Sequence, residues 1–262
     1  LEKDDMMTRR SIIFSIFLLI FSSSSFSQDW AKQLKQERDA YIETLNSATG
    51  YQLAKHADKI TSSGLSDKLL FDSVKTVLLQ KHEQQMTTAP KDDLVVHQVV
   101  TLLRTLASAG KSDYISILNR ILRESSNRAI RNRAKHVMKK IGFYHDRNQI
   151  MQNLDTHSAR QSLHTTRSFN LLKSDDLIMS RFAAEEIVRA NKAAPIIQEW
   201  LADRLKQQSR QTNDKLHADT LAWYCKVLGT VNMSKYQGFI RELSKDRSVH
   251  SQIRKHARKI LR

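Results

Sequence analysis

The chain has 262 residues, 40% of them hydrophobic, and a formal net charge of +16 at pH 7. That apolar fraction supports a packed core and excludes wholesale disorder. Six Gly and two Pro are too few for the tight turns of a many-stranded sheet, so the composition predicts an all-α fold of long helices joined by short polar turns.

At the N-terminus, Arg9 and Arg10 precede an apolar run over residues 12–21, followed by a serine tract and the small-x-small triplet Ser25, Phe26, Ser27. That order is expected of a cleavable export signal covering residues 1–27, with an over-extended start before Met6 and Met7. As a helix the apolar run would reach ~15 Å, short of the ~30 Å bilayer core, so no transmembrane segment is expected in the mature chain. Export would place the protein in the periplasm or outside the cell. The lone cysteine, Cys225, leaves no internal disulfide and sits in an apolar stretch, as a buried small hydrophobe would.

Residues 28–142 read as a first half. Residues 30–46 are polar but periodic, with Trp30, Leu34, Tyr41 and Leu45 inward, as in a solvent-facing capping helix. After Gly50, the spacing of Leu53, Ala57 and Ile60 predicts a second helix, ended by Ser62, Ser63 and Gly64. Ser66 is expected to cap a third helix, whose inner face holds Leu70, Val74, Val77 and Leu78. Residues 86–90 read as a loop. Asp92 and Asp93 open a helix over residues 94–107, where their charge suits the positive helix N-terminus, and Gly110 closes it. Tyr114, Ile117, Leu118 and Ile121 form the next stripe. Ser125, Ser126 and Asn127 lead into IRNRAKHVMKKI at residues 130–141, with Ile130, Ala134, Val137 and Ile141 on one face. Gly142 is expected to end that helix as a C′ glycine.

Residues 143–168 look least regular and read as a connector with a short helix over residues 148–154. Residues 169–262 then echo the first half. DDLIM at residues 175–179 matches DDLVV at 92–96. Ile196, Ile197, Trp200 and Leu205 answer Leu70, Phe71, Val74 and Leu79 at an offset of 126. Leu228, Gly229 and Tyr236 answer Leu106, Ala107 and Tyr114 at 122, and Ile253 and Arg254 answer Ile130 and Arg131 at 123. Offset changes confined to turns are what tandem helical hairpins accumulate.

Residues 169–189, FNLLKSDDLIMSRFAAEEIVR, resemble a HEAT or HEAT-like (armadillo-type) repeat: a first helix ending Leu-Leu, Asp in the turn, Arg early in the second helix, then an Ala-Ala pair. Residues 127–141 and 248–261 look like the same second helix, with Arg131 and Arg254 at the Arg position. The resemblance implies an α-solenoid of about five to six hairpins in a right-handed superhelix, because one hairpin cannot bury its own apolar face. It also implies a scaffold role, and an Arg that supports its turn through an acidic partner, for which Asp246 is available to Arg254.

No GxSxG, Walker A, HExxH or CxxC pattern occurs, and no catalytic residue, cofactor or metal site is expected. His250 and His256 lie about 120° apart around a helix, while His157 and His164 fall in irregular sequence. The concentrated feature is positive charge: residues 119–140 carry +7 and residues 241–262 carry +6, together +13 of the +16. On the first basic helix Lys135 and Lys139 should point about 130° and 170° away from the apolar face, with Arg133 and Lys140 nearer its margins at about 70° and 90°. These four, with Lys255, Arg258, Lys259 and Arg262 in the later copy, are the candidate partner-binding residues. The expected function is an exported, non-enzymatic scaffold that binds a protein partner. The alternative is binding of an anionic polymer or surface (lipid headgroups, envelope glycan, nucleic acid) through the two basic helices. A third reading is a HEAT-like DNA glycosylase for alkylated bases, which shares the architecture and charge, but export removes it from the genome and no Asp stands in a matched motif.

Overall fold

The computed structural model describes residues 30–88, 92–153 and 161–262, and every regular element among them is helical. In chain order these are α1 (residues 30–47), α2 (Gly50–Ser63), α3 (Lys68–Thr87), α4 (Asp93–Ala107), a 3₁₀ turn (Ser112–Tyr114), α5 (Ile115–Glu124), α6 (Arg128–Met138), α7 (Ile141–Met151), α8 (Leu163–Lys173), α9 (Leu177–Ala190), α10 (Pro195–Gln208), α11 (Lys215–Val231), α12 (Met233–Lys245) and α13 (Ser251–Ile260). The expected export signal lies outside the described residues. Among the described residues no helix is long and apolar enough to cross a membrane.

The helix ends follow from local chemistry. Asp92, Asn127, Asp176 and Asp214 each accept a backbone N–H of the following first turn, satisfying donors that the helix itself leaves unpaired. Gly64 ends α2 at φ 75°, the left-handed conformation that glycine takes without strain. Pro195 opens α10, where its missing N–H costs nothing.

The chain divides into two compact units. One holds the described residues up to Ala107 together with Asp113–Lys139; the other holds Ser108–Ser112 and Lys140–Arg262. In the first unit α2, α4 and α6 form a row of packed neighbours, α3 packs on α4, and α5 packs on α6. In the second unit α9, α11 and α13 form the row, with α8 on α9, α10 on α11 and α12 on α13. The internal order of partners is therefore the same in both.

Each row is tied by polar contacts as well as by apolar packing. Thr105 of α4 donates to the Ala57 carbonyl of α2 at 3.0 Å, and Arg104 pairs with Asp58. In the second unit Thr220 of α11 reaches the Leu177 carbonyl at 3.3 Å, and Asp219 of α11 takes Arg181 of α9 at 2.8 Å and Gln252 of α13. Buried hydroxyls that find carbonyl partners avoid the penalty of desolvation.

Burial puts the two units in register. Leu118 and Ile121 correspond to Ile240 and Leu243 at offset 122, and Ile130 and Ala134 to Ile253 and Ala257 at 123, all buried. The expected offset of 126 for α3 and α10 is corrected to 127: Leu70, Val74 and Leu78 match Ile197, Leu201 and Leu205, while Ile196 is 41% exposed. Both helices begin with consecutive apolar residues, and apolar identity alone does not say which of them faces inward.

Other expectations also change. Asp67, not Ser66, caps α3, its carboxylate accepting the Leu70 N–H at 3.1 Å. Residues 86 and 87, expected to begin a loop, are the last turn of α3. The DDL matches do not share one cap position, because the capping residue is the first Asp of the pair in Asp92 but the second in Asp176. Gly142 does not end the basic helix. α6 stops at Met138, Lys139 and Lys140 keep right-handed backbone, and Gly142 lies in the first turn of α7. Residues 143–147, expected as an irregular part of the connector, are thus helical, and so is His164 in α8; the short helix expected over residues 148–154 is the end of α7, which runs to Met151.

The α7 core is polar, which explains why periodicity missed it. Arg147 is 1% exposed and Asn148 2% exposed. Asn148 donates to the carbonyls of Ser108 at 2.8 Å and Ala109 at 3.3 Å, and accepts from Arg147 Nε at 2.9 Å. The Arg147 guanidinium lies over the Tyr144 ring, 4.7 Å from its centroid, and burial pulls its pKa down to about 10. Gly110, at φ 68°, sits so close to α7 that a Cβ there would come within 2.5 Å of His145 N.

Candidate functional site

Two features of the surface could contact a ligand: the basic helices and a cleft in the second unit. On α6, Ile130, Ala134 and Val137 are buried against the row, Lys135 is exposed and Arg133 is half-buried. Lys139 and Lys140 are exposed as well, in the turn after α6. Lys140 also lies over the Phe143 ring at 5.4 Å. On α13, Lys255, Arg258 and Lys259 are exposed, as is Arg262 just beyond its end. Arg258 Nε donates to the Ser244 carbonyl at 3.3 Å, so this side chain partly closes the end of α12. None of the eight forms an ion pair with a described residue. The first four and the last four belong to different places in the chain, with Lys140 in the second unit and its three neighbours in the first.

Arg131 and Arg254 support their turns, but through carbonyls, whereas Arg181 pairs with Glu185 and Asp219. Arg131 donates to Ser125 and Ser126, and Arg254 to Arg247 O at 2.9 Å. Asp246, expected to serve Arg254, instead pairs with Arg210 at 2.9 Å and accepts from Ser248, which holds its pKa below the usual carboxylate value.

The cleft opens between the α8–α9 turn, the C-terminal half of α10 and the first turns of α11, with a volume of about 150 Å³. Its base is aromatic: Trp200 stands edge-on to Phe169 at 5.7 Å and to Tyr224 at 5.8 Å. Two cations lie over these rings, Lys173 Nζ at 4.4 Å from the Phe169 centroid and Arg204 Cζ at 5.1 Å from that of Trp200. Such stacking is favourable by roughly 0.5–1 kcal/mol at exposed sites and orients the cation. Asp175, His217 and Thr220 complete the rim, His217 Nε2 lying 3.1 Å from Gln208 Oε1. Burial pushes the Tyr224 hydroxyl up to about 12, opposed by Ser180 and by the Arg204 charge.

None of the cleft residues was among the eight expected from sequence. A trace of them was present, because Phe169 and Lys173, and Trp200 and Arg204, are aromatic–cation pairs at i, i+4, which share one helix face. Their meeting across two helices is a tertiary fact.

Cys225 is free and fully buried, and burial pushes its thiol up to about 12, so it packs as an apolar side chain. His250 caps α13, its Nδ1 accepting the Gln252 N–H at 3.3 Å. Among the described residues no group of three His, Cys, Asp or Glu side chains is placed to hold a metal ion. In comparisons with known proteins, the chain matches no family model and no curated protein.

Proposed function

We propose that this is an exported, non-enzymatic repeat protein of the HEAT-like kind, a solenoid of stacked helical hairpins whose surface binds a protein partner. The common partner order of the two rows supports the repeat reading. The N-terminal order of basic, apolar and small residues supports export. One observation carries the partner reading: large apolar side chains are left exposed at equivalent places in both units. Tyr51 and Leu69, 73% and 62% exposed, recur at offset 127 as Ile178 and Ile196, 56% and 41% exposed. Each is the second residue of its helix. Isolated apolar residues on a surface need no explanation, but the same exposure at two pairs of equivalent positions points to use.

A second reading, an anionic polymer or surface bound through α6 and α13, is favoured by the eight cations that form no ion pair with a described residue. Two variants separate the readings. Tyr51→Asp with Ile178→Asp removes the apolar edge, and reversal of Lys135, Lys139, Arg258 and Arg262 to Glu removes the charge. With the chain as bait in an extract of its own compartment, the apolar variant should lose the captured protein while the charge variant keeps it. Loss of capture only on charge reversal, together with lost retention on heparin or anionic liposomes, would transfer the function to the basic helices.

A further inference from the structure

Building on the partner-binding reading, we propose that the cleft between the α8–α9 turn, α10 and α11 holds a carboxylate of the protein partner, either its chain terminus or an Asp or Glu side chain. Lys173 and Arg204 are both fixed over adjacent rings of one aromatic cluster. Neither makes an ion pair or a side-chain hydrogen bond with a described residue. Three nearby cations of this unit are by contrast matched: Arg181 to Asp219, Arg210 to Asp246, Lys206 to Asp203. What sets the two cleft cations apart from Lys140 over Phe143 and Lys226 over Trp223, which are also oriented and without an ion pair to a described residue, is that both line one cleft.

The shape and charge narrow the ligand. At about 150 Å³ the cleft is well below the ~300–1,000 Å³ of pockets that enclose a whole small molecule. It suits one terminal group of something larger. Asp175 also lines the cleft and forms no ion pair with a described residue, so the two cations and this one acid leave a local charge of one positive unit. That balance favours a monoanion over a dianionic phosphate. The Arg204 guanidinium, held over the Trp200 indole, makes no hydrogen bond with a described residue, and a guanidinium N–H edge matches the two oxygens of a carboxylate. The wall hydroxyls are otherwise committed, the Thr220 O–H having the Leu177 and Leu216 carbonyls as acceptors within reach and the Ser180 O–H those of Leu171, Leu172 and Ser174. Ile178 and Leu216, 56% and 37% exposed, belong to the first turns of α9 and α11, the two helix ends whose Leu177 and Leu216 carbonyls lie within reach of the Thr220 hydroxyl. A peptide anchored by its carboxylate would meet apolar surface beside the cleft.

The test uses the full mature chain, ¹⁵N-labelled, with the Trp200 indole N–H and Arg204 Nε–H followed by NMR. Three blocked tripeptides serve as probes: acetyl-Ala-Ala-Leu with a free C-terminus, the same peptide amidated, and acetyl-Ala-Asp-Leu amide. A saturable shift with the first or the third, and none with the neutral amide, is expected; which of the two binds tells a chain terminus from an acidic side chain. Lys173→Ala with Arg204→Gln should weaken binding about tenfold or more, as loss of charge-assisted hydrogen bonds does. Asp175→Asn, an exposed change with little risk to folding, should tighten it several-fold. No saturable shift with either acid, equal binding of the amide, or unchanged affinity in Asp175→Asn would overturn the proposal. Capture of the partner that survives Lys173→Ala/Arg204→Gln while the peptide titrations are silent would overturn the cleft alone and leave the repeat surface as the binding region.

Discussion

Gly229→Ala should destabilise the second unit, whereas Gly238→Ala, in the neighbouring helix, should stabilise it. Both glycines are inside helices, where alanine is intrinsically better by about 1 kcal/mol. At Gly238 an added Cβ meets nothing within 4 Å, so the full gain of about 0.5–1 kcal/mol should appear. At Gly229 the new Cβ would stand 2.2 Å from Ile260 Cγ2 and 3.4 Å from Ile240 Cδ1. Carbon atoms in contact prefer about 3.5–4.0 Å, so α13 must move away from α11 or Ile260 must leave its rotamer. Ile260 is β-branched and has one strongly preferred χ1 in a helix, which makes the second route costly. Overpacking of this kind costs about 1–3 kcal/mol. After subtracting the helix gain of about 0.5–1 kcal/mol, a net loss of up to about 2 kcal/mol remains. In an Ile260→Ala background the overlap vanishes, and Gly229→Ala should become stabilising. Urea unfolding followed by circular dichroism measures all four midpoints of the cycle, with Gly238→Ala alongside. If Gly229→Ala stabilises the native background as much as Gly238→Ala does, the close approach of α11 and α13 is wrong.

Two further predictions concern the first unit. Asp67→Ala should cost about 1 kcal/mol, the usual loss of a helix N-cap, and more than Ser66→Ala; the reverse order in thermal melts would restore Ser66 as the cap of α3. His82 is 2% exposed, its Nε2 has no hydrogen-bond partner among the described residues, and burial holds its pKa below 6.5. Below about pH 6.5 the unfolded chain therefore takes up a proton that the folded chain resists, so the His82 contribution is complete above that pH and is lost as the pH falls. His82→Leu should flatten the decline in urea midpoint between pH 7.5 and 5, and an equally steep decline in that variant would refute the assignment.

How much of this was readable from sequence differs by residue. The helices with a clean apolar stripe were legible, because burial of Leu53, Ala57 and Ile60, or of Ile130, Ala134 and Val137, leaves a 3.6-residue period. α7 was not, since Arg147 and Asn148 fill its interior and only their carbonyl partners on residues 108 and 109 make that tolerable. The basic residues were legible as charge, but not as geometry: a run of cations does not disclose that the helix ends at Met138, before Lys139 and Lys140, or that Arg258 closes α12.

Composition and periodicity by themselves determined that the described chain is helical and which residues of most helices face inward. These are local properties, since propensity, capping and amphipathic spacing act within a few residues of one another. The offset between α3 and α10, the identity of the caps and the cleft were decided only in three dimensions. Leu69 and Leu70 are equally apolar, yet one is 62% exposed and the other fully buried, because burial depends on which neighbour a helix meets. The Lys173 and Arg204 cations share a site for the same reason: packing sets Phe169 of α8 against Trp200 of α10, and nothing within either helix requires it.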